Sequence, residues 1–275
     1  MLAFSFNLFI FLFLFNIPIC ESQVPHFDLI QLVLLCVAAF FVGLSKGGLS
    51  TAAAISVPLL AIFMDPIQAA ALLLPVYIIT DWIAVWLYRR TFSARNLKIL
   101  LPPILLGIVL AMFLAPYTPE SLLLIVTSLI GLWFCLKTWL GKKQSEGVPA
   151  KVIPGVLWGT IAGMTTFITH SGGPPLQAFL LPQRLPKLVF AGTISFCFAV
   201  CNLAKLPAYA WLGKLNDLNW QLTLMLLAVG IVGTRVGRRL AIIMPEHVYR
   251  RCIEIMLFTL SWVLIAKAVF MIYES

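Results

Sequence analysis

Two glycine pairs interrupt apolar stretches of the sequence, and small polar residues surround each pair. The first tip (residues 45–51) reads "SKGGLST", and the second tip (residues 170–177) reads "HSGGPPLQ". Glycine lets the backbone turn at such a point, and proline suits the first turn of a helix that starts there. The free N–H groups of a helix N-terminus, with about half a positive charge, bind anions. The pattern therefore predicts that the two tips enclose a small anion.

The residues predicted to bind this anion all belong to the two tips. They are Ser45, Lys46, Gly47, Gly48, Ser50, Thr51, His170, Ser171, Gly172, Gly173, Pro174 and Gln177. Glycine pairs in membrane helices also permit close helix packing, which is the alternative for either pair taken singly. Matching positions in the two halves of the chain, each followed by a short apolar segment, favour substrate binding.

Three further polar residues lie inside apolar runs, where a charge is costly and is typically paired and functional. These are Asp81, Asn202 and Lys205. Counting along the two halves places Asn202 opposite Asp81. We expect Asp81 near Lys46 in the inner half of the membrane, and Asn202 and Lys205 near His170 in the outer half.

Asp81, Lys205 and His170 also have purely structural interpretations. Asp81 could serve only as the ion-pair partner of Lys46, and Lys205 could extend its ammonium group to the outer membrane surface. His170 could be a proton-linked group or a hydrogen-bonding spacer at a helix end.

The composition indicates a polytopic membrane protein. Of the 275 residues, 61% are hydrophobic and 11% are charged, which leaves too little polar surface for a soluble globule of this size. The six cysteines lie mostly in apolar runs and are interpreted as packing residues. Cys197 and Cys201 share a helix face but lack further ligands nearby, so no metal site and no cofactor are predicted.

Apolar segments after residue 27 form two sets of five. They cover residues 28–45, 49–64, 67–88, 99–116 and 121–139, and then 152–169, 174–182, 188–212, 218–234 and 252–273. We therefore divide the chain into an N-terminal targeting segment or signal anchor (1–27), a first repeat (28–139), a cytoplasmic linker (140–151) and a second repeat (152–273).

An odd number of segments in each half makes the second repeat enter the membrane from the opposite side, so the repeats are predicted to be inverted. Segment 49–64 would be only about 24 Å long as a helix, and 174–182 is shorter still, against a hydrocarbon core of about 30 Å. Both are interpreted as half-helices in re-entrant hairpins. The predicted fold is all-α, with about eight transmembrane helices and these two half-helices.

Loop charges support this topology. If alternate loops face opposite sides, most of the 19 basic residues fall on one side, which is then cytoplasmic. The basic set is Lys46, Arg89, Arg90, Arg95, Lys98, Lys137, Lys142, Lys143, Lys151, Arg184, Lys187, Arg235, Arg238, Arg239, Arg250 and Arg251. The net charge of +9 is thus explained by the basic residues of the cytoplasmic loops. Nucleic acid is therefore not predicted as a partner.

The segment from "GLSKGGLSTAAAISVP" to "WLYRR", followed by "HSGGPPLQAFLLPQRLPK", resembles the TauE/SafE family of sulfite and organosulfur-anion exporters. The resemblance covers about residues 30 to 270. It implies a multi-pass carrier of small sulfur-containing or carboxylate anions in a bacterial-type inner (plasma) membrane, with eight spans in two repeats. The resemblance does not identify which anion is transported.

The predicted function is secondary transport, as an exporter, of sulfite, an organosulfonate or a short carboxylate across the lipid bilayer. No Walker-type "GxxxxGK[ST]" motif is present, so coupling to protons or to the membrane potential is expected. The alternatives are a passive anion channel and an intramembrane enzyme; the second is disfavoured because His170 and Ser171 are adjacent on one turn. The oligomeric state is left open, a homodimer included.

Overall fold

A computed structural model describes residues 28–60, 66–114, 117, 119–140, 147–169, 172–211 and 220–273. The predicted N-terminal segment (1–27) lies outside the described residues, as do His170 and Ser171.

The described part of the chain is all-helical. Its first half contains α1 (Leu29–Lys46), α2 (Ser56–Leu60), α3 (Pro66–Tyr88), α4 (Ala94–Leu114) and α5 (Glu120–Leu140). Its second half contains α6 (Val152–Thr169), α7 (Gly173–Leu180), α8 (Lys187–Trp211), α9 (Trp220–Ile243) and α10 (Glu246–Tyr273). Short 3-10 helices at Ala52–Ile55 and Leu181–Gln183 adjoin α2 and α7. Both predicted short segments contain a short helix within the described residues.

Several helices are long and apolar enough to cross a membrane. Within the described residues, four candidate spans lie at Leu29–Lys46, Ala94–Leu114, Lys187–Pro207 and Glu246–Tyr273. Large apolar side chains on the outside of the bundle, such as Phe113 (73% exposed) and Ile153 (85% exposed), provide a surface suited to lipid. These features agree with the predicted all-α membrane protein.

Local sequence signals explain where two of the helices begin. Asp28 and Gln31 form a capping box at the start of α1, in which the Gln31 side chain accepts a hydrogen bond of 3.1 Å from the Asp28 backbone N–H. At α4, the Ser93 hydroxyl accepts a 3.3 Å hydrogen bond from the backbone N–H of Asn96.

The boundary between α9 and α10 differs from the prediction. We expected a basic loop over 235–251, but α9 continues to Ile243 and α10 begins at Glu246. Arginine stems can lie along a helix end while their head groups reach polar surroundings, so charge alone does not end a helix. Pro245 prevents further continuation, and the Lys187 ammonium group binds the backbone carbonyls of Ile242 and Met244 near the end of α9.

Contacts between the halves are reciprocal. Helix α1 packs on α9, and α6 packs on α4. Likewise α3 packs on α9 and α8 packs on α4, while α3 contacts α8 and α5 contacts α10. The short α7 contacts α5, and the 3-10 helix Ala52–Ile55 contacts α10. These contacts are preserved when each helix is exchanged with the helix at the same place in the other half, whereas the contact of α5 with α6 has no counterpart of similar extent between α10 and α1.

Glycines allow the closest of these contacts. A Cβ atom on Gly237 of α9 would lie 3.1 Å from the Cα atom of Gly47, and one on Gly163 of α6 would lie 3.0 Å from the Cα atom of Gly107 of α4. The helix backbones therefore touch directly at both places, which anchors α1 and α6 and sets the positions of the two tips.

Candidate functional site

The first tip follows directly from the end of α1. The Gly48 N–H donates to the Ser45 carbonyl (3.2 Å), and the Leu49 N–H donates to the Leu44 carbonyl (3.3 Å). Gly48 has a φ of 139°, which L side chains rarely adopt. The glycine thus lets the chain turn out of α1 immediately after Lys46.

Tyrosine hydroxyls bind two consecutive carbonyls of this tip. Tyr88, at the end of α3, donates a hydrogen bond to the Gly47 carbonyl. Tyr249 of α10 donates one of 2.6 Å to the Gly48 carbonyl. Both tyrosines are buried, and their bonds attach the tip, which is continuous with α1, to α3 and α10 as well.

The glycines of the two tips have different surroundings. A Cβ atom on Gly48 would lie 2.8 Å from the Cβ of Ala241, and one on Gly172 would lie 2.8 Å from the Cβ of Thr166. At Gly173 the nearest atom among the described residues would be Nε2 of Gln177, at 3.9 Å. The geometry of Gly47, Gly48 and Gly172 therefore fits the packing interpretation, whereas Gly173 adjoins open space.

The second tip starts α7. Gly172 is the N-cap residue and Pro174 follows in the first turn, where no intrahelical N–H bond is lost. All residues of α7 are buried. Gln177 donates a 3.0 Å hydrogen bond from Nε2 to the Ser50 hydroxyl, which joins the two tips directly.

Polar groups from α1, α3 and α8 meet beside the first tip. The Lys46 ammonium group lies 2.6 Å from the Asp81 carboxylate, and Asn202 donates a 2.6 Å hydrogen bond to the other Asp81 oxygen. The Lys46 ammonium also lies 5.2 Å from the ring centre of Tyr77 and 5.1 Å from that of Phe198. We expected Asp81 and Asn202 in separate halves of the membrane, but reciprocal packing of α3 on α8 brings them into contact.

Lys205 lies one helical turn beyond Asn202 on α8. Its ammonium group donates a 3.1 Å hydrogen bond to the Thr166 hydroxyl of α6. The side chain is fully buried (0% exposed), so it does not reach the outer surface as the structural interpretation required.

A cavity of about 30 Å³ lies between these groups. Its lining includes Ser45, Lys46, Ser50, Thr51, Ala53, Tyr77, Thr166, Gly173, Phe198, Asn202, Lys205 and Leu260. Since a cavity needs about 10–15 Å³ to hold one water, this cavity has room for about two waters. Asp81 is not part of the lining and contacts Lys46 and Asn202 from behind.

Two buried polar atoms near the cavity have no hydrogen-bond partner among the described residues. They are the Thr51 hydroxyl oxygen and Oε1 of Gln177. A buried polar group without a partner is costly, so such atoms are commonly satisfied by water or a ligand.

Thr166, Tyr77 and Phe198 were not among the site residues predicted from the sequence. A threonine in an apolar helix usually bonds its own backbone, as Thr165 does at 2.8 Å from the Ile161 carbonyl, so no pattern marked Thr166. The aromatic residues could have been suspected only once Lys46 was known to be buried between them.

Comparison with protein families gives one match, to the sulfite exporter TauE/SafE family, over residues 35–264. The chain belongs to the TauE/SafE family. Membership identifies it as a membrane transporter and implies export of sulfite or a related anion. No curated protein and no solved structure matches the chain significantly.

Proposed function

We propose that this TauE/SafE protein is a secondary exporter of a small anion, such as sulfite, an organosulfonate or a short carboxylate, bound in the cavity between the two tips. The observation that carries the proposal is the lining of the cavity. Lys46 and Lys205 are lining residues, whereas Asp81, the carboxylate that pairs with Lys46, is not. An anion entering the cavity would therefore meet Lys46 and Lys205 before Asp81.

Neutral donors complete the proposed site. Ser50 and Thr51 line the cavity from the first tip, and the Thr51 hydroxyl oxygen has no partner among the described residues. Gly173 lines it from the second tip, where α7 begins. The positive end of the α7 dipole would add to the attraction for an anion.

We further propose that residues 28–139 and 152–273 form inverted repeats of about eight spans and two half-helices, joined by the linker 140–151, in the cell inner membrane. The exchange symmetry of the helix contacts supports this arrangement. A site at the interface of such repeats can be opened to either side by moving one repeat against the other.

In the proposed transport cycle, Asp81 couples movement of the anion to movement of a proton. When the anion binds Lys46, Asp81 loses part of its interaction with that ammonium group, and taking up a proton would remove the unpaired charge. Release of the anion would restore the Lys46–Asp81 ion pair and release the proton. Coupling to the membrane potential alone is the alternative.

Transport of radiolabelled sulfite by the purified protein in liposomes tests this function. We expect saturable flux driven by the sulfite gradient, and acceleration of labelled flux by unlabelled sulfite on the opposite side. A passive channel would not give the second effect. Absence of flux for sulfite, a sulfonate and a short carboxylate alike would contradict the proposal.

A further inference from the structure

Arg238 of α9 is a partly buried arginine that does not line the central cavity. Its Nη1 atom is buried and has no hydrogen-bond partner among the described residues. Leaving such a donor unsatisfied is costly, and an arginine fork of N–H groups is well suited to the oxygens of an oxyanion.

The position of Arg238 connects it to the first tip. Its guanidinium carbon lies 4.7 Å from the ring centre of Tyr88, the residue whose hydroxyl binds the Gly47 carbonyl. A Cβ atom on Gly47 would lie 2.5 Å from the backbone nitrogen of Arg238, so the two backbones are in direct contact. Any movement of the tip therefore changes the surroundings of this arginine.

Two residues of α3 show how far Arg238 lies from the central cavity. Asp81, beside the cavity, and Tyr88, under the guanidinium group, are seven residues apart, or about 10 Å along the helix axis. The exposed Arg89 and Arg90 follow Tyr88, so Arg238 lies between the cavity and the basic end of the bundle.

We propose that Arg238 is a second contact for the transported oxyanion, on the basic side of the first tip, which binds the anion as it passes between the central cavity and the cytoplasm. This inference rests on the proposed function. Release of the Gly47 carbonyl by Tyr88 would loosen the tip and let the anion reach the unpartnered nitrogen.

Arg239 provides a matched control, since it is the adjacent residue of α9, carries the same charge and is exposed. Sulfite flux is measured in inside-out and right-side-out vesicles, so that each face is titrated separately. In Arg238→Gln, we expect the half-saturating sulfite concentration to rise about tenfold at the cytoplasmic face, as loss of one charge-assisted hydrogen bond implies. The opposite face and Arg239→Gln should change less than twofold.

Arg238→Lys keeps the charge but not the fork, so we expect a smaller rise at the same face. It also serves as the test if Arg238→Gln does not fold. Equal shifts at both faces, or equal effects of the substitutions at Arg238 and Arg239, would overturn the inference. A wild-type protein that transports no sulfite, sulfonate or carboxylate would instead overturn the proposed function.

Discussion

Asn202 donates a 2.6 Å hydrogen bond to Asp81 across the contact between α3 and α8, the second long helices of the two halves. The bond fixes one carboxylate oxygen and leaves the other to Lys46. Asp81 is thereby held behind the cavity lining, to which Lys46 belongs.

Asp81→Asn separates proton coupling from anion binding. We expect the variant to bind sulfite and to exchange labelled for unlabelled sulfite, because Lys46 and Lys205 remain. It should lose the response of net flux to an imposed pH difference, because an amide does not take up a proton in this range. Flux is measured in liposomes with and without the pH difference, with the membrane potential clamped.

Stability provides the control for this substitution. Removing one partner of a buried ion pair costs about 3–5 kcal/mol, so a lower melting temperature is expected. If Asp81→Asn fails to fold and Lys46→Met added to it restores the fold, the ion pair is structural. Retention of the pH response in Asp81→Asn would likewise argue against a proton-carrying role.

Lys205→Gln tests whether the second lysine contributes to the positive field of the cavity. We expect at least a tenfold weaker sulfite affinity, because the lost charge lies in the buried wall, where electrostatic interactions are less screened than in water. Lys151→Gln, at an exposed position, is the matched control and should leave affinity unchanged. Sulfite-dependent thermal stabilisation measures both. An unchanged affinity in Lys205→Gln would limit this lysine to a structural role.

The contacts of the site divide into those the sequence could predict and those it could not. Lys46 and Asp81 could be paired because they are opposite charges in apolar segments. The contact between Asn202 and Asp81 was not predicted, because counting along the halves gave them equivalent positions in opposite halves of the membrane. The bond of Tyr249 to Gly48 joins residues 201 positions apart and depends on how α10 packs, which no local pattern encodes. The difference between Gly48 and Gly173 likewise depends on Ala241 of another helix.

Topology is tested by labelling single cysteines in a cysteine-free background. Arg90→Cys and Lys151→Cys should react with a membrane-impermeant thiol reagent only from the cytoplasmic side. Tyr117→Cys, at a position that is 84% exposed, should react only from the opposite side. Because the basic ends of the helices are predicted to be cytoplasmic, labelling of positions 90 and 151 from opposite sides would exclude the inverted-repeat arrangement.

Gly173 and Gly48 provide the sharpest test of the tips, because the same substitution has different expected effects at the two positions. Gly173→Val would place a branched side chain into open space beside the cavity, so sulfite binding should fall at least tenfold while the protein stays folded and monodisperse. Gly48→Val should destabilise the fold itself, because the φ of 139° is strained for any L side chain and Ala241 is too close. Gly173→Ala, with a smaller side chain, should have an intermediate effect on binding. Melting temperature and sulfite affinity are measured for each variant. If Gly173→Val binds sulfite with less than a tenfold loss, about 1.4 kcal/mol, the second tip does not face the anion and the glycine pairs serve helix packing only.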